Sequence, residues 1–282
     1  MKFKIMVSAA LTAALLSGIF TSGCGLTGEG GQMIGVSMPS TTLQRWNQDG
    51  ENIARQLMAK GYQVDLKNAD DDVALQVSQI EGMIGENCKV LVIAAIDSQA
   101  LKGALAEAAD RGIKVIAYDR LIMDSPNVDY YATFNNFDVG VMQGRYIESA
   151  LGLKNGGGPY NMEIFSGSPN DNNSKFFYNG AMSVLSPYIE SEALIVRSGQ
   201  TDADSTAIMN WVDTAAELRM RELLTQYYGG GERLDAVLSP NDGLAMGVIR
   251  ALRAAGYGEG KPFPIITGQD CDKDNVIAML KG

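Results

Sequence analysis

The sequence predicts an α/β fold with parallel sheets, and three observations carry that reading. Short apolar runs of strand length alternate with longer segments whose apolar residues recur at helical period. About nine such runs follow one another between Met33 and Thr267, separated by helices, which calls for right-handed crossovers between parallel strands. Runs such as Val90 to Ala95 are apolar without alternation, as strands covered on both faces are. One doubly wound sheet could hold them all. Two sheets of about five fit domain sizes of roughly 100–150 residues better.

The elements follow in order. Met33 to Met38 reads as a short buried strand. Thr41 to Lys60 reads as a helix, with Trp46, Gly50, Ile53 and Leu57 on one face and Gly61 just past its end. Tyr62 to Leu66 is a strand, and Asp72 to Glu86 a helix carrying Val73, Val77, Ile80 and Ile84. The cluster Asp70-Asp71-Asp72 lacks calcium-loop spacing and reads as a helix cap. Val90 to Ala95 is a strand, Ser98 to Arg111 an Ala-rich helix stopped by Gly112, and Ile113 to Tyr118 and Asp129 to Phe134 are strands. The rhythm then repeats. Helices are expected at Phe137 to Leu153, Asn172 to Ser186, Thr206 to Tyr228, Gly243 to Ala255 and Asp272 to Leu280. Strands are expected at Tyr160 to Phe165, Leu194 to Arg197, Leu234 to Leu238 and Ile265 to Thr267. The break between two lobes falls near Asn135-Asn136, giving units 33–134 and 135–282. No Pro/Gly-rich linker marks it, which suits a hinged pair.

Composition narrows the chemistry. The 282 residues include 23 basic and 33 acidic side chains, three cysteines and no histidine. Without His there is no Ser-His-Asp or Cys-His arrangement and no His-ligated metal site. Cys24, Cys88 and Cys271 lie too far apart for a local thiolate cage. No metal or cofactor is expected, and a net charge of −10 argues against a nucleic-acid partner.

The N-terminus reads as an address. Lys2 and Lys4 precede an uncharged apolar stretch from Ile5 to Phe20, too short for a comfortable membrane span and suited to a signal peptide over residues 1–23. Thr21-Ser22-Gly23-Cys24 is similar to a bacterial lipobox, with Thr21 where Leu is usual, so Cys24 is the expected lipidation site. The Gly-rich residues 24–32 then form a tether off the membrane. Gly23 to Gly28 satisfies G-x-G-x-x-G, but no strand precedes it, so it is not a nucleotide fingerprint. Cleavage would remove two of the basic side chains and leave a net charge of −12.

In parallel α/β sheets the ligand site lies beyond the carboxyl ends of the strands. Those ends carry Ser37 to Trp46, Asp97, Asp119-Arg120, Asn135-Asn136, Ser166 to Asn173, Asn241-Asp242 and Gln269-Asp270. Side chains that donate and accept in pairs suit a ligand with vicinal hydroxyls. Asp119-Arg120 is the sharpest pair, although a structural ion pair would read the same way. Trp46 and Trp211 could stack on the C–H face of a sugar ring or simply pack in the core. Asn241 could be no more than a helix cap. A glycosidase pair such as Asp119 with Asp270 can be imagined, but nothing local sets their separation.

Together these motifs resemble one family. Gly35-Val-Ser-Met-Pro39 with Arg45-Trp46, Tyr118-Asp-Arg-Leu-Ile122, Gly167-Ser-Pro-Asn-Asp-Asn-Asn173, Ser239-Pro-Asn-Asp-Gly243 with Ala245-Met-Gly247, and Thr267-Gly-Gln-Asp270 stand in the order of periplasmic sugar-binding proteins of ABC transporters. The group resembled is the ribose/galactose/xylose type, above all its multiple-monosaccharide-binding lipoproteins. The resemblance implies two Rossmann-like lobes of the periplasmic binding protein type I fold, closing over one monosaccharide. It implies Arg45, Trp46, Asp119, Arg120, Trp211, Asn241 and Asp270 as ligand-binding residues, together with one of Asp171, Asn172 and Asn173, of which Asn172 is chosen, and no catalytic residue. It implies delivery to an ABC permease, a monomer, and a periplasmic or cell-surface location. A chemosensory component reporting to a membrane kinase would use the same fold. A related repressor is disfavoured, because the export signal stands where DNA-binding helices would be. Family members continue for several tens of residues past Thr267-Gly-Gln-Asp270, so the resemblance also implies that the C-terminal part is missing here and that both lobes are incomplete.

Overall fold

The computed structural model describes residues 31–281. The signal segment, most of the tether and Cys24 lie outside the described residues, as does the Gly23 to Gly28 run.

Two parallel sheets form. The first contains β1 (Met33–Met38), β2 (Gln63–Asn68), β3 (Val90–Ile93), β4 (Lys114–Tyr118) and β5 (Tyr130–Ala132) in the order β2-β1-β3-β4-β5. The second contains β6 (Tyr160–Ile164), β7 (Leu194–Val196), β8 (Ala236–Leu238) and β9 (Ile265–Ile266) in the order β7-β6-β8-β9. Both sheets therefore wind the same way. Each reverses its strand order beside its first strand, between β1 and β3 and between β6 and β8. A crevice opens at such a switch point.

Helices cover both faces of each sheet. The first sheet carries α1 (Gln44–Ala59), α2 (Val73–Gly85) and α3 (Lys102–Asp110). Ile80, Met83, Ile84, Leu91, Leu101 and Leu105 pack on one face. Trp46, Ile34, Val36, Met38 and Val92 pack on the other. Local signals act where expected: the Asp72 carboxylate caps α2 by accepting from Leu75 N at 3.0 Å. Gly61 past α1 and Gly112 past α3 take left-handed φ of +89° and +69°.

The second sheet carries α4 (Asn136–Ala150), α5 (Asn172–Glu190), α6 (Asp213–Tyr227), α7 (Asp242–Ala254) and α8 (Lys273–Lys281). Helices α4 and α5 meet backbone to backbone. A Cβ at Gly140 would lie 2.1 Å from the Phe177 carbonyl oxygen, and one at Gly180 would lie 2.1 Å from that of Phe137.

Three expected helices begin late, the first of them at Gln44 rather than Thr41. The Ser98–Arg111 helix starts only at Lys102: the Ser98 carbonyl, which would accept from Lys102 N–H in a helix, accepts instead from Met123 N at 2.6 Å, while Ser98 N–H donates to Asn170 O of the other lobe at 3.1 Å. The helix expected from Thr206 starts at Asp213. Before it, Asn210 and Trp211 sit at φ +54° and +58°, a left-handed kink that no helix can pass through.

Candidate functional site

The strand ends of both sheets open on one cleft of about 840 Å³. Arg45, Trp46, Asp119 and Arg120 line it from the first lobe, and Trp211, Asn241 and Asp270 from the second. Seven of the eight expected residues are thus brought together. Asn172 is not among them. It is the first residue of α5, and its neighbour Asn173 faces the cleft instead. Successive helical residues point about 100° apart, so an error of one residue turns the side chain off the wall.

Arg45 is the hub. From α1 its guanidinium reaches Asp119 at 2.5 Å, Asp49 at 3.2 Å and, across the cleft, Asp270 at 3.2 Å. Burial opposes its charge. The three carboxylates outweigh burial and hold it protonated well above the ordinary guanidinium range. Asp270 feels the reverse balance: burial pushes its carboxyl up, and Arg45 pulls it part of the way back.

Asp119 owes its direction to its backbone. Its φ is +61°, costly for a residue with a side chain. Four contacts hold it there. Its N–H donates to Ala132 O at 2.8 Å. Its carbonyl accepts from Tyr131 OH at 3.0 Å, Thr133 Oγ1 at 2.9 Å and Asn173 Nδ2 at 3.1 Å. The kink sends Asp119 and Arg120 to different partners, so they do not form the side-by-side pair their adjacency suggests. Asp119 meets Arg45 and, from the other lobe, Asn173 Nδ2 at 3.1 Å.

Arg120 donates to Asp171 at 3.0 Å and to Ala95 O at 3.1 Å. Asp171 is buried at the N-cap of α5 and belongs to the second lobe, so this ion pair also crosses the cleft. Burial pushes the Asp171 carboxyl up, and the Arg120 charge opposes that. Trp211 Nε1 donates to the same carboxylate at 3.2 Å.

The two tryptophans differ in role. Trp46 is 2% exposed and packs into the first core. The Arg45 and Arg120 guanidinium carbons lie 4.2 Å and 5.1 Å from its ring centroid, so the ring faces cations, the geometry of cation–π attraction. Its Nε1 has no partner. Trp211 lies edge-on to Phe177, with centroids 6.4 Å apart. A Cβ at Gly167 would come within 2.1 Å of the Trp211 ring, which explains the glycine of the Gly167-Ser-Pro motif.

Asn241 does two jobs. Its Oδ1 caps α7 by accepting from Leu244 N at 3.0 Å, while its Nδ2 points to Asp270 at 3.5 Å. Sequence reasoning missed Asp49 and Gln143; Asp171 and Asn173 were the alternatives to Asn172, and Asn136 stood at a strand end without an assigned role. The Arg45–Asp49 spacing of four on a helix was the one local signal for Asp49. Gln143 binds Pro240 O at 3.0 Å from the middle of α4, and no local pattern marks it.

Charged donors and acceptors at fixed positions, beside aromatic rings, in a cleft between two similar lobes, define a ligand-binding protein of the two-lobed kind. The chain matches the family model described as "Periplasmic binding protein domain" over residues 34–282, and it belongs to that family. It is a binding protein and not an enzyme. It is 54% identical over 250 residues to the multiple sugar-binding periplasmic protein SbpA of Azospirillum brasilense, covering 88% of this chain and 70% of that one. It is 49% identical over 280 residues to the multiple sugar-binding periplasmic receptor ChvE of Rhizobium radiobacter, covering 99% and 78%. Among solved structures, it is similar to an ABC transporter solute-binding protein from Clostridium phytofermentans with bound β-D-glucose. That match has a TM-score of 0.86 and 51% identity, covering 89% of this chain and 76% of that one.

Proposed function

We propose that this protein binds a monosaccharide between two hinged lobes, 33–134 and 135–282, and delivers it to an ABC permease. The observation that carries the reading is Arg45, which joins Asp119 of one lobe to Asp270 of the other. A sugar entering there would exchange hydroxyl contacts for part of that ion-pair network. Hydrogen bonds to charged groups are worth roughly 1.5–3 kcal/mol each, enough for a few to define an orientation. Asp119 and Asp270 accept from hydroxyls, Arg45, Arg120, Asn173 and the Asn241 Nδ2 donate, and Trp211 offers an aromatic wall. The sugar-binding relatives and the glucose-bound structure support the same ligand class. Binding would shift an open–closed equilibrium toward the closed form that a permease reads.

Calorimetry with D-glucose, D-galactose, D-xylose and L-arabinose tests the reading. Saturable binding of at least one sugar to the monomeric protein is expected, and binding of none would reject it. Labelled glycosides should remain intact.

The proposal includes export and a lipid on Cys24, on the strength of Lys2, Lys4, the apolar Ile5 to Phe20 stretch and the Thr21 to Cys24 motif. Cells fed labelled palmitate should mark the natural protein and not Cys24→Ser; an unlabelled natural protein would remove the anchor from the proposal. The receptor name of the 49% identical relative supports a second reading, a sensory component. Deleting the permease genes separates the two, since uptake fails in the first case and a sugar-induced signal persists in the second.

A further inference from the structure

Asn241 already caps α7, yet the next residue, Asp242, buries a second carboxylate at the same helix end, 7% exposed. An acid in a first helical turn is favoured by the helix dipole, but a solvent-facing one would serve that purpose. Asp242 turns inward. Its Oδ2 accepts from Asp272 N at 2.9 Å. Its own N–H donates to Gln269 O at 2.9 Å, and its carbonyl accepts from Asn275 Nδ2 at 3.1 Å. These bonds grip the chain on both sides of Asp270.

The gripped segment is strained. Asp270 and Cys271 sit at φ +98° and +60°, conformations that non-glycine residues hold only where surroundings over-determine them. The approach is close enough that a Cβ on Gly268 would lie 2.4 Å from Asp242 Oδ1. Asp242 keeps this place although burial disfavours its charge and the Asp270 and Asp272 carboxylates repel it.

We infer that Asp242 is the positioning residue for Asp270: it clamps the loop between β9 and α8 so that the Asp270 carboxylate reaches Arg45 across the cleft. Asp242 lines no part of the cleft itself. The glycine and the two acids of Ser239-Pro-Asn-Asp and Thr267-Gly-Gln-Asp thereby become one device, in which Gly268 leaves room for the carboxylate that holds Asp270.

The affinity arm of the test rests on the sugar-binding reading, and the exchange arm does not. D-glucose is titrated by calorimetry into the natural protein and into Asp270→Ala, Asp242→Ala, the double variant and Asp242→Asn. Asp270→Ala should lose roughly tenfold in affinity, and Asp242→Ala should lose a similar factor. The double variant should be no weaker than Asp270→Ala alone, because both changes remove one contribution. Asp242→Asn keeps an acceptor oxygen and should recover most of the affinity. Amide hydrogen exchange at Cys271 and Asp272 should accelerate in Asp242→Ala, while Val248 and Leu252 in α7 stay protected. Multiplying losses in the double variant, or unchanged exchange at residues 271 and 272, would overturn the inference. If D-glucose does not bind the natural protein, the titrations use whichever of the other three sugars does; if none of the four binds, that counts against the sugar reading, and exchange alone decides the role of Asp242.

Discussion

Asp171 joins two side chains that come from different lobes, Arg120 and Trp211. It holds the Arg120 guanidinium at 3.0 Å and the Trp211 indole at 3.2 Å while capping its own helix. Removing one member of a buried ion pair leaves the other charge without compensation. Asp171→Asn should therefore lower stability by roughly 3 kcal/mol in urea unfolding. A midpoint equal to that of the natural protein would show that Arg120 finds another partner. Asp119 tests recognition rather than stability. Asp119→Ala should weaken sugar binding at least tenfold, or about 1.4 kcal/mol, and unchanged affinity would remove it from the site. At this scale the sequence was partly legible. Residue types at strand ends pointed to hydroxyl recognition. The pairing was not legible, because a positive φ at Asp119 separates Asp119 from Arg120, and no neighbour in the chain announces that angle.

Helices α4 and α5 pack through glycine because larger side chains would hold their backbones apart. At Gly180 a Cβ would meet Phe137 O at 2.1 Å and Val141 N at 2.9 Å. Gly180→Ala should cost roughly 1–3 kcal/mol by overpacking. A Cβ at Gly103 in α3 would meet nothing within 4 Å, so Gly103→Ala should be neutral or stabilising by up to roughly 1 kcal/mol. Thermal melts of the two variants check the contrast, and equal shifts would contradict it. Most elements were legible from apolar period and from caps such as Asp72 and Gly61. The turn before Asp213 was not. Met209, Trp211 and Ala215 look helical by composition, but the chain kinks at Asn210 and Trp211, where the Trp211 indole reaches Asp171.

For the whole molecule, four carboxyls near the cleft, Asp171, Asp242, Asp270 and Asp272, are raised chiefly by burial. Asp242 is the clearest, pushed up to about 6 from an ordinary 3.8. A raised folded-state value means that the folded chain binds a proton the unfolded chain releases. That contribution is fully present below pH 3.8 and fades as pH rises through 6. Measured against Asp242→Asn, the natural protein should therefore lose stability as pH rises from about 4 to about 6, read from urea unfolding at several pH values. A difference that stays flat over that range would reject the assignment. The order and type of the elements, the two-sheet plan and the strand-end location of the cleft were written locally, because periodicity, caps and crossover handedness act over a few residues at a time. Tertiary structure alone decided that Arg45 bridges Asp119 and Asp270, that Asp171 meets Arg120, and that Trp46 faces two cations. Those contacts join residues up to 225 positions apart; they form only when separate strand ends meet and, for Arg45–Asp270 and Arg120–Asp171, when the two lobes meet, which no stretch of sequence contains.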